Sequence, residues 1–139
     1  MNPPPLPARL FLLDTNTVAY AIKGNRPGVW ARLQAIAQGE LAISAITVAE
    51  LRYWIVNRPN EARVPILVEE FLSRIPSLPW DSSVTQTYAK LRADCKKLGK
   101  TLAELDLLIA AQAMTLNAIL VTHDKAFGQI ADLRTEDWV

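Results

Sequence analysis

Residues 10–13 read Leu-Phe-Leu-Leu, and the next residue is Asp14. Four apolar residues with no polar alternation cannot lie on a half-wetted surface. A run this short suits a strand buried on both faces, as in a parallel sheet. The feature recurs in Leu41-Ala42-Ile43-Ser44 and again over residues 118–122, Ala-Ile-Leu-Val-Thr. Leu78-Pro79-Trp80 is a weaker strand whose proline belongs near a sheet edge, and Leu133 opens a last short extended segment. Between these runs the spacing is helical, and no internal repeat is present. Strands alternating with helices predict an α/β fold, a parallel sheet of four to five strands covered by helices on both faces.

The helical segments carry their own start and stop signals. Residues 18–22 read as a short helix and residues 24–28 as a turn. Residues 29–38 form a helix with Val29, Leu33, Ile36 and Ala37 on one side, stopped by Gly39. Thr47 and Glu50 have capping-box spacing, which predicts a helix from there to residue 56. Residues 61–75 place Val64, Leu67, Val68, Phe71, Leu72 and Ile75 in one stripe, with Pro65 in the tolerant first turn. Asp81 caps a long helix to about residue 98, closed by Gly99. Thr101 and Glu104 repeat the capping-box spacing ahead of a helix to residue 116.

A chain of 139 residues is one domain. Pro3, Pro4, Pro5 and Pro7 make residues 1–8 a stiff tail, leaving residues 9–139 as the domain. Half the residues are hydrophobic and 21% are charged, enough for a packed core. Net charge is +1, which excludes nucleic-acid binding by overall basicity and demands a local patch. The single cysteine, Cys95, excludes an internal disulfide and a thiolate-rich zinc site. No apolar run reaches a membrane span, and the start lacks a secretory pattern, so the expectation is a cytoplasmic protein with no membrane association.

Ligands of open α/β sheets bind beyond the carboxyl ends of the strands. Asp14 follows the first strand and Asp124 follows the strand at 118–122, so both project into one crevice. Asp14 is also good N-cap chemistry, Glu50 also fits a capping box, and Asp124 also fits a turn cap. Asp106 lies within Leu105-Asp106-Leu107-Leu108-Ile109-Ala110-Ala111, an apolar helix in which an unpaired buried carboxylate is costly. Ala110 and Ala113 share its face and allow close approach. Four acids in a small space raise one another's pKa unless a cation compensates. Oxygen-only ligands without a His or Cys cluster favour Mg²⁺ or Mn²⁺, and such a site activates water for phosphodiester hydrolysis.

The blocks Leu12-Leu13-Asp14-Thr15-Asn16, Ile46-Thr47-Val48-Ala49-Glu50-Leu51, Asp106-Leu107-Leu108-Ile109-Ala110-Ala111-Gln112-Ala113, Val121-Thr122-His123-Asp124 with Phe127, and Leu133-Arg134-Thr135-Glu136-Asp137-Trp138 carry a resemblance. In this order and at these separations the chain resembles PIN-domain ribonucleases, and more narrowly the VapC toxins of bacterial toxin–antitoxin pairs. The resemblance runs from residue 10 to the C-terminus. It implies a PIN-like parallel sheet, a Mg²⁺- or Mn²⁺-dependent endoribonuclease, an RNA substrate with tRNA as a candidate, a VapB-like antitoxin and a homodimer. It carries over Asp14, Glu50 and Asp106 as the acidic, metal-holding core. Asp124 matches a position where the family has Asp or Asn, and Thr15, Asn16 and Thr122 match supporting positions. One departure is Asp132, where a glycine often precedes the last block.

Other features rank lower. His123, the only histidine, lies beside Asp124 and reads first as a solvated loop residue. Cys95 lacks a partner base. Lys90, Arg92, Lys96, Lys97 and Lys100 read as a solvated helix face, with a phosphate-binding rim as the alternative. Trp30, Trp54, Trp80 and Trp138 read as core or interface, and Tyr53, Trp54 and Phe71 as a candidate oligomer or antitoxin surface. Two alternative functions remain: an Asp-centred receiver-like module, and an inactive PIN interaction module. The first wants a second acid beside Asp14 and finds Thr15-Asn16; the second is disfavoured by the complete acid set.

Overall fold

In the computed structural model, which describes residues 5–139, the first apolar run becomes β1 (Phe11–Leu13), the central strand of a five-stranded sheet. The others are β2 (Leu41–Ser44), β3 (Ser77–Leu78), β4 (Ile119–Val121) and β5 (Thr135–Glu136). Their spatial order is β3-β2-β1-β4-β5, and every pairing is parallel. The α/β prediction with four to five parallel strands therefore holds. Leu12 lies opposite Ala42 on one side and Leu120 on the other. Of the expected segment Leu78-Pro79-Trp80 only Leu78 belongs to the edge strand β3, and Pro79, which has no N–H to donate, lies just past its end.

The sheet separates two cores because side chains alternate along each strand. Leu12, Ala42 and Leu120 face one core, while Phe11, Leu13, Ile43 and Val121 face the other. The first is covered by α5 (Thr85–Lys97) and α6 (Glu104–Thr115). The second is covered by α1 (Thr15–Lys23), α2 (Pro27–Ala35), α3 (Ala45–Asn57) and α4 (Arg63–Arg74). Each fully buried Leu or Phe on these strands contributes roughly 1.5–3 kcal/mol relative to exposure.

Several helix starts differ from expectation. Helix α1 begins at Thr15 because Asp14 is its N-cap, accepting from the Thr17 N–H at 2.8 Å. Helix α2 begins inside the expected turn because Pro27 occupies its first position. Neither capping box forms. Ser44, the last residue of β2, caps α3 through the Ile46 N–H at 3.0 Å, which places Thr47 inside the helix. Helix α6 starts at Glu104 from Ala103, with no side-chain cap, so Thr101 stays outside. Asp81 caps a short 3-10 turn, Ser82–Val84, that leads into α5, and Gly99 follows α5 with φ +67°. Of the expected proline-rich tail, residues 1–4 lie outside the described residues; residues 5–9 form neither helix nor strand. Among the described residues no helix is long and apolar enough to cross a membrane.

Candidate active site

Four acids come together at the carboxyl edge of the sheet, each delivered by a different element. Asp14 leaves β1, and its own N–H donates to the Val121 carbonyl of β4 at 3.0 Å. Glu50 stands on α3, the helix that Ser44 starts directly from β2. Asp106 lies in the first turn of α6. Asp124 follows β4 and caps a 3-10 turn, Lys125–Gln129, accepting from the Ala126 N–H at 2.9 Å.

Their electrostatics show that they share one space. Asp106 is only half-buried and sits at a helix N-terminus that favours negative charge. Its carboxyl is nevertheless pushed up to about 6, first by burial and then by the charges of Asp124, Asp14 and Glu50. Asp14 is buried, and burial raises its pKa; hydrogen bonds from the Thr122 side chain and from Thr17 oppose the rise, and Asp124 adds to it. None of the four has an ion-pair partner among the described residues. Fully buried Ala110 and Ala113, on the Asp106 face of α6, let the helix lie close against its neighbours.

Threonines hold the acids. The Thr15 hydroxyl is 2.6 Å from Glu50 Oε1 and 3.2 Å from Thr47 Oγ1. It has one proton, which the carboxylate takes, leaving Thr47 to donate to Thr15. Thr122 Oγ1 accepts from the Asp124 N–H at 3.0 Å, so this buried threonine serves both Asp14 and Asp124. Asn16 is exposed on the first turn of α1. Two contributors escaped the sequence reading. Thr47, whose spacing predicts a cap, instead reaches Thr15, and Thr17 fastens α1 to β4 by donating to the Val121 carbonyl at 3.2 Å. The only sequence signal for Thr17 was its place three residues after an N-capping aspartate.

No group of three or more His, Cys, Asp or Glu side chains is drawn together as a metal cluster among the described residues. Three of the acids are instead anchored separately, Asp14 and Asp124 by backbone N–H groups and Glu50 by Thr15.

Residues 11–133 match the family model of the PIN domain. The chain is 35% identical to Ribonuclease VapC2 of Haemophilus influenzae over 130 residues, 93% of this chain and 98% of that protein. The chain belongs to the PIN-domain family, among its VapC proteins. It is also 33% identical to the tRNA(fMet)-specific endonuclease VapC of Shigella flexneri, over 92% of this chain and 97% of that one. In structure it is similar to VapBC2 from Rickettsia felis, solved bound to a DNA fragment from their promoter. The TM-score is 0.88 at 31% identity, covering 94% of this chain and 99% of that chain.

Elsewhere on this PIN domain, a groove of about 490 Å³ lies between α1, α2 and α4, away from the acids. It is lined mainly by apolar side chains, among them Ile22, Trp30, Leu33, Leu67 and Phe71. Trp138 is buried against Phe11, as a core tryptophan, whereas Trp30 is 41% exposed. Cys95 is buried. Lys90, Arg92, Lys96 and Lys97 form an exposed face of α5, and Lys100 is half-buried with its ammonium on the Gln129 carbonyl.

Proposed function

We propose that this PIN domain is a divalent-metal-dependent endoribonuclease acting as the toxin of a VapBC-type pair. The observation that carries the reading is the delivery of four acids by four elements to the carboxyl edge of the sheet, none of them ion-paired with a basic side chain among the described residues. Such a set is stable near neutral pH when a hard cation sits among it. Asp14, Glu50, Asp106 and Asp124 would hold Mg²⁺ or Mn²⁺. Their separate anchoring suits Mg²⁺, which keeps several waters and takes few carboxylates directly. An ion held there would supply charge stabilisation at a phosphoryl oxygen and would lower the pKa of a water. The chain's own residues set the stage: Thr17 and Thr122 fix Asp14, Thr15 aims Glu50, and Asp106 must lose its proton before the site is complete.

The name of the Shigella relative favours tRNA within the RNA class. The Rickettsia neighbour, a VapBC assembly, supports a VapB-like antitoxin, and the apolar groove with its exposed Trp30 suits a partner's apolar segment. A homodimer and a cytoplasmic site of action complete the reading. The test is incubation of purified protein with RNA in Mg²⁺, in Mn²⁺ and in EDTA, beside Asp106→Asn. Internal cleavage that needs metal and is lost in the variant is expected. Undiminished cleavage in EDTA would overturn the metal mechanism, and no cleavage under any condition would favour an inactive PIN module.

A further inference from the structure

On the β4–β5 side of the same sheet edge stands a group of side chains that the carboxylate chemistry does not use. Strand pairing continues past β4, with the Thr122 N–H donating to the Glu136 carbonyl at 2.9 Å. His123 thereby comes beside Asp137, and its Nδ1 is 2.8 Å from Asp137 Oδ2. The ring of Tyr20, from α1, meets the imidazole edge-on, with centroids 6.4 Å apart and planes at 74°. The Arg26 guanidinium lies 4.9 Å from the centre of the Tyr20 ring. His123 and Arg26 are exposed, Tyr20 is half-buried, and Arg26 has no ion-pair partner among the described residues.

Tyr20 itself packs against the second core, and the rest of the cluster stands outside it. An exposed imidazole fixed by a carboxylate and an arginine spread over an aromatic ring bury little apolar surface. They do provide an exposed π face, that of His123, and one cation with free N–H groups, the combination that binds single-stranded nucleic acid by base stacking and phosphate contact. Position adds to the argument. His123 lies in sequence between Thr122, which serves Asp14, and Asp124, so its backbone belongs to the same sheet-edge segment as two of the acids' anchors. Four carboxylates repel a phosphate backbone, and a chain of net charge +1 has no general field to overcome that. A cation beyond the acids helps to hold the backbone, and Arg26, spread over the Tyr20 ring and without an ion-pair partner among the described residues, supplies one.

We propose that Tyr20, Arg26 and His123 form the subsite for the RNA nucleotide flanking the cleaved bond. The His123 ring takes its base, Arg26 takes its phosphate, and Tyr20, edge-on to the imidazole and beneath the guanidinium, is with Asp137 a positioning residue. This rests on the endoribonuclease reading above.

The test measures binding of a fluorescein-labelled, mixed-sequence single-stranded RNA to the Asp106→Asn protein by anisotropy in Mg²⁺. His123→Ala should weaken binding about tenfold, the scale of one lost base stack, and Tyr20→Ala should weaken it by removing the ring that positions both His123 and Arg26. Tyr20→Phe keeps the ring and should bind like its parent, which guards against a folding artefact. Arg26→Ala should weaken binding and reduce the slope of log Kd on log salt by about 0.7, one phosphate on a single strand. His123→Ala should leave that slope unchanged. Asp137→Ala should give a smaller loss than His123→Ala. If the native chain cleaves this RNA but all these variants bind like the parent, the subsite is overturned and the nuclease reading stands. If the native chain neither binds nor cleaves it, both fall. If the variants lose only inhibition by a co-encoded partner protein, the cluster is a protein contact and the proposal is wrong.

Discussion

At Asp124 one carboxylate has two duties, and they can be separated by substitution. Its Oδ1 caps the 3-10 turn through Ala126, while its charge presses on Asp106. Asparagine keeps a carbonyl oxygen able to cap the turn and to accept from a metal-bound water, and loses only the charge. Asp124→Asn is therefore expected to keep substantial cleavage at a higher Mg²⁺ requirement, and to be no less stable than the parent without metal. Asp124→Ala loses the cap as well, about 1 kcal/mol, and far more activity. A magnesium titration of both variants checks this; equal inactivity at saturating metal would place Asp124 in the essential core. Asp14→Asn, Glu50→Gln and Asp106→Asn should each reduce cleavage by about a hundredfold or more in single-turnover assays, with cooperative melting retained.

At the scale of elements, the site is a set of strand-to-helix junctions held by short contacts. The Thr15 hydroxyl joins α1 to Glu50 of α3. Thr15→Val should lower cleavage about tenfold while Thr15→Ser restores it, a contrast a mere packing role would not give. A second junction closes the C-terminus: a Cβ on Gly28 would meet the Trp138 carbonyl oxygen at 2.5 Å. Backbone cannot step aside cheaply, so Gly28→Ala should cost about 1–3 kcal/mol in a denaturant titration. The strands were legible in the sequence because burial on both faces leaves apolar runs, and those runs end at Asp14 and just before Asp124. Asp106 was legible because a lone acid in an apolar helix has few harmless explanations. The caps were not. Thr47 and Thr101 have the right spacing to glutamate, but a helix leaving a parallel strand starts where the strand stops, and Ser44 is already there. The meeting of His123 with Asp137 depends on strand order, which no local pattern encodes.

Across the whole molecule, folding itself creates the repulsion. In the unfolded chain the four acids are far apart and Asp106 titrates near 3.8; in the fold it is pushed up to about 6. Between these values the folded state binds the proton more tightly than the unfolded state, so metal-free stability must fall as pH rises through that window. Above it both states are deprotonated, and the cost from this group stays constant. Raised by burial, Asp14 acts with the same sign. Half-exposure of Asp106 moderates the size of the effect and leaves its direction unchanged. A divalent ion held only by the native state reverses the penalty by mass action, and protons compete with it for the same oxygens. Thermal melts in EDTA should therefore show a lower melting temperature at about pH 7 than at about pH 5 from this contribution. Mg²⁺ should raise the melting temperature more at the higher pH. In Asp106→Asn both the metal-free slope and the Mg²⁺ gain should shrink together, because one carboxylate is the source of each. An undiminished Mg²⁺ gain in that variant would mean that the ion binds elsewhere on the molecule.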